Sequence, residues 1–165
     1  MTPKKLIVFD LDGTIAESKS QMDQEMSLLL VKLLEKKQVA IISGGSYKQF
    51  QEQLLNNLNC HKNLLKKLHL FPTCSTAYYQ YQNSWKKVYS NELKQEIKEK
   101  IRLAFHQMFK EVGFKPIESP FGDIIEDRGG QITFSALGQK APLKIKSKWD
   151  PNQEKRKEMK KILDE

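Results

Sequence analysis

Residues 6–10, Leu-Ile-Val-Phe-Asp, run from apolar strand formers straight into an acid, and Leu11, Asp12 and Gly13 follow. A continuous apolar run, rich in β-branched and aromatic residues and broken at a glycine, predicts a fully buried parallel strand over 5–10. Parallel strands cannot be joined by a tight turn, because each needs a crossover, usually a helix. This one stretch therefore commits the start of the chain to alternating strands and helices.

The residues that follow keep to that alternation. Residues 22–37 place Met22, Met26, Leu29, Leu30, Leu33 and Leu34 at helical spacing, with lysines in the last turn. A second apolar strand over 39–45 breaks at Gly44 and Gly45, a helix follows over 47–55, and a short helix precedes a third strand near 68–71. Strand, helix, strand, helix, strand is the pattern of a parallel α/β sheet with right-handed crossovers. The register then changes. Residues 77–90 read as a hairpin turning at Gln82-Asn83-Ser84. A long amphipathic helix over 91–112 carries Leu93, Ile97, Ile101, Phe105 and Phe109 on one stripe. Residues 124–137 read as two antiparallel strands around Gly129-Gly130, and 151–164 as a charged helix opening at Pro151. The expected organisation is a parallel α/β core over 1–90 and a smaller α+β domain over 91–165.

Bulk properties narrow the function classes. Of 165 residues, 39% are apolar and 29% charged, as in soluble globular proteins. The net charge of +8 favours an anionic partner: nucleic acid, a membrane surface or a phosphorylated small molecule. Cys60 and Cys74 match no metal or redox spacing and read as free thiols. No segment approaches the ~20 apolar residues of a membrane helix. The apolar run after Lys4 and Lys5 meets Asp10 after four residues, short of the roughly 7–15 of a signal peptide, so a cytoplasmic location is expected.

Chemistry concentrates at the end of the first strand. Asp10 and Asp12 are two apart, so both side chains leave on one face while Leu11 points away. The carboxyl end of a parallel strand is where α/β sheets bind ligands. Two neighbouring acids suit a division of labour, one carboxylate attacking phosphorus and the other protonating the leaving oxygen, with Mg²⁺ damping the charge. After the second strand, Ser43, Gly44, Gly45 and Ser46 offer hydroxyls and backbone N–H groups to a phosphate.

The apolar strand fused to Asp10-Leu11-Asp12-Gly13-Thr14 resembles the first motif of the haloacid dehalogenase superfamily. The resemblance implies Asp10 as nucleophile, Asp12 as general acid and base, and Mg²⁺ held by the Asp10 carboxylate and the Asp12 backbone carbonyl. It implies a Rossmann-like core with an α+β cap. Ser43, with Ser46 as rival, stands for the second motif. A finer resemblance, over 10–23, 42–54 and 125–139, is to the eukaryotic-type phosphomannomutases. It implies a hexose-phosphate substrate, interconversion of mannose 6-phosphate and mannose 1-phosphate, and a homodimer through the cap. Cap arginines of that family grip the phosphate distant from the nucleophile. Arg128 falls on one such position, and Lys19 and Lys146 match basic positions. Gln139 stands where the family has arginine, which leaves a sugar-phosphate phosphatase open beside the mutase.

Two motifs of the superfamily, a lysine and a metal-completing acidic pair, have no clear counterpart. Gly122, Asp123 and Asp127 have the spacing of the acidic pair, but prolines precede them, and the same residues read better as a cap strand leading to Arg128. On that reading the chain ends inside the cap, which predicts a truncated chain, an open edge on the first strand and, as one alternative, an inactive remnant. A second alternative is an anion- or nucleic-acid-binding module built on the lysines of 140–161 with Trp149. Interleaved Asp150, Glu154 and Glu158 and the absence of a nucleic-acid fold signature disfavour it.

Overall fold

The computed structural model describes residues 4–165. The chain divides into two units, Met1–Glu92 and Leu93–Glu165. The first is built on a mixed five-stranded sheet in the order β1-β2-β3-β4-β5, so the fold is α/β. β1 (Leu6–Asp10), β2 (Gln38–Ile42) and β3 (Leu68–Phe71) are parallel. β4 (Ala77–Tyr81) turns back antiparallel on β3, and β5 (Trp85–Ser90) pairs with β4.

Register explains why one face becomes the core. Phe9 lies opposite Ile41 and Ile41 opposite Leu70, so alternate residues of three strands share a face. Onto that face α1 (Gln24–Lys36) delivers Leu30 and Leu34, and α2 (Tyr47–Gln53) delivers Phe50, all buried with Leu11, Val39, Ile41, Leu68 and Leu70. α3 (Lys62–Leu65) adds Leu64 at the rim. Asp23 caps α1 by accepting the Met26 N–H at 2.8 Å, which moves the helix start from the expected residue 22 to Gln24. α2 stops at Gln53, and a 3₁₀ turn, Leu55–Asn57, takes over from the expected helix. After β3, α4 (Pro72–Ser75) is a single distorted turn with Thr73 and Cys74 in left-handed conformation.

β1 differs from the fully buried strand expected of it. Leu6 is 48% and Val8 53% exposed. Among the described residues the strand pairs only with β2, and Phe9, on the opposite face from Leu6 and Val8, is the side chain of β1 that packs on the core. Continuous hydrophobicity marked a strand designed to be covered on both faces, whereas the described residues of this unit cover one.

In the second unit, α5 (Gln95–Glu111) packs against β7 (Ile132–Phe134) and α7 (Glu154–Leu163). Phe105, Phe109, Phe114 and Phe134 form one aromatic cluster, and Met108 and Met159 are buried. β6 (Ile125–Asp127) pairs antiparallel with β7 around Gly129 and Gly130, so Asp127 lies in a strand. Both strands are shorter than expected, because after Phe134 the chain curls into a turn closed by the Gly138 N–H on the Ser135 carbonyl. α6 (Leu143–Trp149) was not anticipated from its lysine-rich sequence. α7 begins at Glu154 instead of Pro151, because the buried Asp150 carboxylate accepts the N–H groups of Lys155 and Arg156. Among the described residues no helix is long and apolar enough to cross a membrane.

Candidate active site

Three turns meet at the carboxyl ends of β1, β2 and β3. In the first, the carbonyl of Leu11 accepts the N–H groups of Thr14, Ile15 and Ala16, and Gly13 takes φ +80°, where a side chain would be strained. Leu11 is fully buried, so its neighbours Asp10 and Asp12 are turned outward by the strand alternation. Asp10 is exposed at the end of β1, opposite Ile42, and its carboxylate has no hydrogen-bond partner among the described residues.

Asp12 is held at both oxygens. Its Oδ1 accepts the backbone N–H of Lys19 at 2.9 Å, and its Oδ2 accepts the Ser43 hydroxyl at 3.2 Å. Ser43 is buried, and its Oγ in turn accepts the Gly45 N–H at 3.1 Å. The chain from Gly45 through Ser43 to Asp12 thus ties the β2 turn to the β1 turn. Lys19 takes a left-handed φ of 58°, which brings its N–H onto the carboxylate.

Ser46 has a different occupation. Its hydroxyl accepts the Gln49 N–H while the Gln49 side chain accepts the Ser46 N–H, a capping box that starts α2. Gly44 and Gly45 lie between the two serines, against the third turn: the Thr73 N–H donates to the Gly45 carbonyl and the Cys74 N–H to the Ser43 carbonyl. A Cβ on Gly44 would stand 3.7 Å from Cys74 Sγ. Sequence reasoning passed over residues 72–75 as a contributor to this site; Pro72 at a strand end was the one available signal.

The remaining candidates belong to the second unit, where Arg128, Gln139 and Lys146 form one network. Arg128 Nε donates to Glu126 Oε2 at 2.7 Å and its Nη2 to Gln139 Oε1 at 3.2 Å. Gln139 Nε2 donates to Thr133 Oγ1, and Lys146 Nζ donates to the Gln139 carbonyl. The Arg128 side chain is 7% exposed and lies 2.6 Å from Glu126 as an ion pair. Asp127 is turned elsewhere, to Lys98, Arg102 and the Gly129 N–H. Burial pushes its carboxyl up, but the Gly129 hydrogen bond and the two cations outweigh that and hold it below its ordinary value.

A divalent cation would find limited ligands. No group of three or more His, Cys, Asp or Glu residues is placed to hold a metal among the described residues. The pair at β1 still fits Mg²⁺, which takes one or two carboxylates and completes its shell with water and substrate phosphate. Asp10, unengaged and exposed, is the natural ligand; Asp12 brings a carboxylate already oriented by two donors.

No protein-family profile matches the chain. Phosphomannomutase 1 from Mus musculus is 37% identical over 49 residues, 30% of this chain and 19% of that protein. Phosphomannomutase 1 from Homo sapiens is 22% identical over 161 residues, 96% of this chain and 59% of that protein. Among solved structures, the ATP-bound IMP-nucleotidase of Plasmodium falciparum superposes with a TM-score of 0.66 at 18% identity, over 97% of this chain and 40% of that chain. A haloacid dehalogenase-like hydrolase from Bacteroides thetaiotaomicron gives 0.51 at 20% identity, over 64% and 38%. The chain thus spans at most 59% of the length of these relatives.

Proposed function

We propose, from the premise that this chain has the fold of the haloacid dehalogenase superfamily and a sequence resembling phosphomannomutase, that it is a phosphotransferase working through an aspartyl-phosphate on hexose phosphates. The observation that carries the reading is the contrast between two neighbouring acids. Asp12 is fixed by Ser43 and Lys19, while Asp10 is exposed without a hydrogen-bond partner among the described residues. A nucleophile must be reachable and a proton donor must be oriented.

In the first step an Asp10 oxygen attacks phosphorus, the bond from phosphorus to the sugar oxygen breaks, and Asp12 gives that oxygen its proton. In the second, a hydroxyl attacks the acyl phosphate, loses its proton to Asp12 and frees Asp10. If the hydroxyl belongs to a sugar phosphate, the reaction is a mutase step, mannose 6-phosphate to mannose 1-phosphate in the resembled family. If it belongs to water, the reaction is hydrolysis. Mg²⁺, held by Asp10 and the Asp12 carbonyl, would supply charge neutralisation at the phosphoryl group. Ser43, Gly44 and Gly45 would cradle that phosphate.

One observation favours hydrolysis as the second reading. A mutase must grip the distal phosphate firmly, yet Arg128 already serves Glu126, and Gln139 offers an amide where a guanidinium would bind bidentately. A phosphate at Arg128 would have to compete with a carboxylate.

Radiolabel transfer tests the common step. Incubation with a sugar bisphosphate or acetyl phosphate and Mg²⁺ should give acid-labile label on the protein, absent in Asp10→Ala. Undiminished label in that variant would remove Asp10 as nucleophile. The ratio of isomerised sugar to free phosphate then separates mutase from phosphatase.

A further inference from the structure

Trp149, at the end of α6, lines two cavities of the second unit. One, of about 340 Å³, is also lined by Lys115, Lys155 and Glu158. The other, of about 190 Å³, is bordered by Phe134, Lys146 and Arg156. The indole is therefore a shared wall with a pair of cations on each cavity. Lys155 Nζ stands 5.3 Å from the ring centroid, a cation–π distance.

The arrangement is built, not accidental. The buried carboxylate of Asp150 accepts the N–H groups of Lys155 and Arg156 and the Arg156 Nε at 2.9 Å. Desolvation pushes Asp150 up, but the Arg156 hydrogen bonds, the Lys155 N–H and the guanidinium charge together hold it below its ordinary value. An ionised, buried pivot next to Trp149 thus fixes the first turn of α7, holding Arg156 on Asp150 and starting the turn that carries Lys155, whose Nζ faces the indole.

Ligand class follows from size and charge. The larger cavity lies at the small end of the ~300–1,000 Å³ typical of ligand pockets, and the smaller has room for little beyond one ring or one anionic group. An aromatic wall flanked by cations suits a planar ring joined to an anion. Glu158 within the larger cavity, with Glu154 one helical turn before it on α7, interrupts any continuous basic track, so a polyanion is a poor fit.

We infer that the second unit carries a binding site for a compact aromatic anion, of nucleoside monophosphate size, with the ring against Trp149 and the negative group on Lys115 and Lys155. The site is independent of Asp10 chemistry.

Trp149 reports on its own occupancy once Trp85→Phe removes the other tryptophan. In that background, adenosine monophosphate should quench fluorescence saturably. Inorganic phosphate alone and adenosine alone should each bind at least about tenfold more weakly, since each keeps half of the contacts. Lys115→Gln and Lys155→Gln should each weaken the monophosphate about tenfold at unchanged far-ultraviolet circular dichroism, as expected for loss of one charge-assisted contact. Asp10→Asn should leave the affinity unaltered, which separates this site from the proposed catalytic one. Absence of saturable quenching, equal binding of phosphate alone, or tighter salt-sensitive binding of a single-stranded oligonucleotide would each overturn the assignment.

Discussion

Ser43 is the residue on which the candidate site turns. Its hydroxyl donates to Asp12 Oδ2 and accepts from Gly45, so it fixes a carboxylate and a loop at once. Ser43→Ala should leave the aspartyl-phosphate able to form but lower turnover about 10- to 100-fold, the worth of a hydrogen bond to a charged group. Steady-state kinetics beside the labelling assay check this, and unchanged turnover would remove Ser43 from the mechanism. Asp10 and Asp12 stood out in the sequence because an apolar strand that ends in two acids invites a chemical reading, and the structure places both at the end of β1. Between Ser43 and Ser46 the sequence left both open; Ser46 with Gln49 three residues on has capping-box spacing, and the structure has that box. The hold of Lys19 on Asp12 was not available, since it uses a backbone N–H presented by a left-handed residue. His69 supports a pH prediction. Burial pushes its imidazole below the ordinary 6.5, while its Nδ1 meets the Tyr78 hydroxyl at 2.7 Å and its Nε2 meets Gln38 Oε1. A depressed folded pKa means that stability is fully present above 6.5 and is lost as pH falls through the folded value. Asp127 and Asp150, already held low, titrate below this window. The urea midpoint should be lower near pH 5.5 than near pH 7.5, and His69→Gln should shrink the difference. An equal difference in both proteins would rule His69 out.

Elements differed in legibility according to what positions them. β2 and the first helix were readable because their apolar spacing matches the face they bury: Val39 and Ile41 are fully buried, and Leu30 and Leu34 are at most 3% exposed. α6 was not, since no residue of it is buried and its seven residues carry three lysines. The start of α7 was misjudged because Asp150, not Pro151, organises it, through a hydrogen-bond set that sequence spacing does not reveal. The turn after β7 is the element most exposed to a single change. Gly138 has φ +89°, and a Cβ there would stand 2.4 Å from the Phe121 carbonyl oxygen, which is backbone and cannot swing aside. Gly13, at φ +80°, would place its Cβ in open space. Conformational strain alone costs about 1 kcal/mol, so Gly13→Ala should be mild. Gly138→Ala adds the clash and should cost roughly 3 kcal/mol or more. Thermal melts of the two variants test the ranking, and equal losses would contradict it.

At the scale of the described residues, the feature that stands out is β1, an outer strand of the sheet with apolar side chains in view. β1 pairs only with β2, so its far backbone edge has no strand partner among the described residues. Leu6 and Val8 stand 48% and 53% exposed on the same strand, and no bulge or proline interrupts Leu6–Asp10 itself. Lys4 and Lys5 precede the strand, and Asp10 closes it, so charge sits only at its ends. An edge offering both unpaired amides and apolar side chains is a template for pairing with another strand, and burying the exposed halves of two such side chains is worth about 1.5–3 kcal/mol. Repulsion between two positive chains opposes the pairing but is screened within about 8 Å at physiological salt. The chain should therefore associate reversibly as its concentration rises. Val8→Lys should suppress the association while leaving Asp10 and the buried face of the strand intact, because Val8 points away from the helices. Sedimentation velocity across a concentration series, with both proteins at two salt concentrations, decides the matter. A wild-type monomer throughout, or association indifferent to Val8→Lys, would mean that the edge is protected by something other than its own residues.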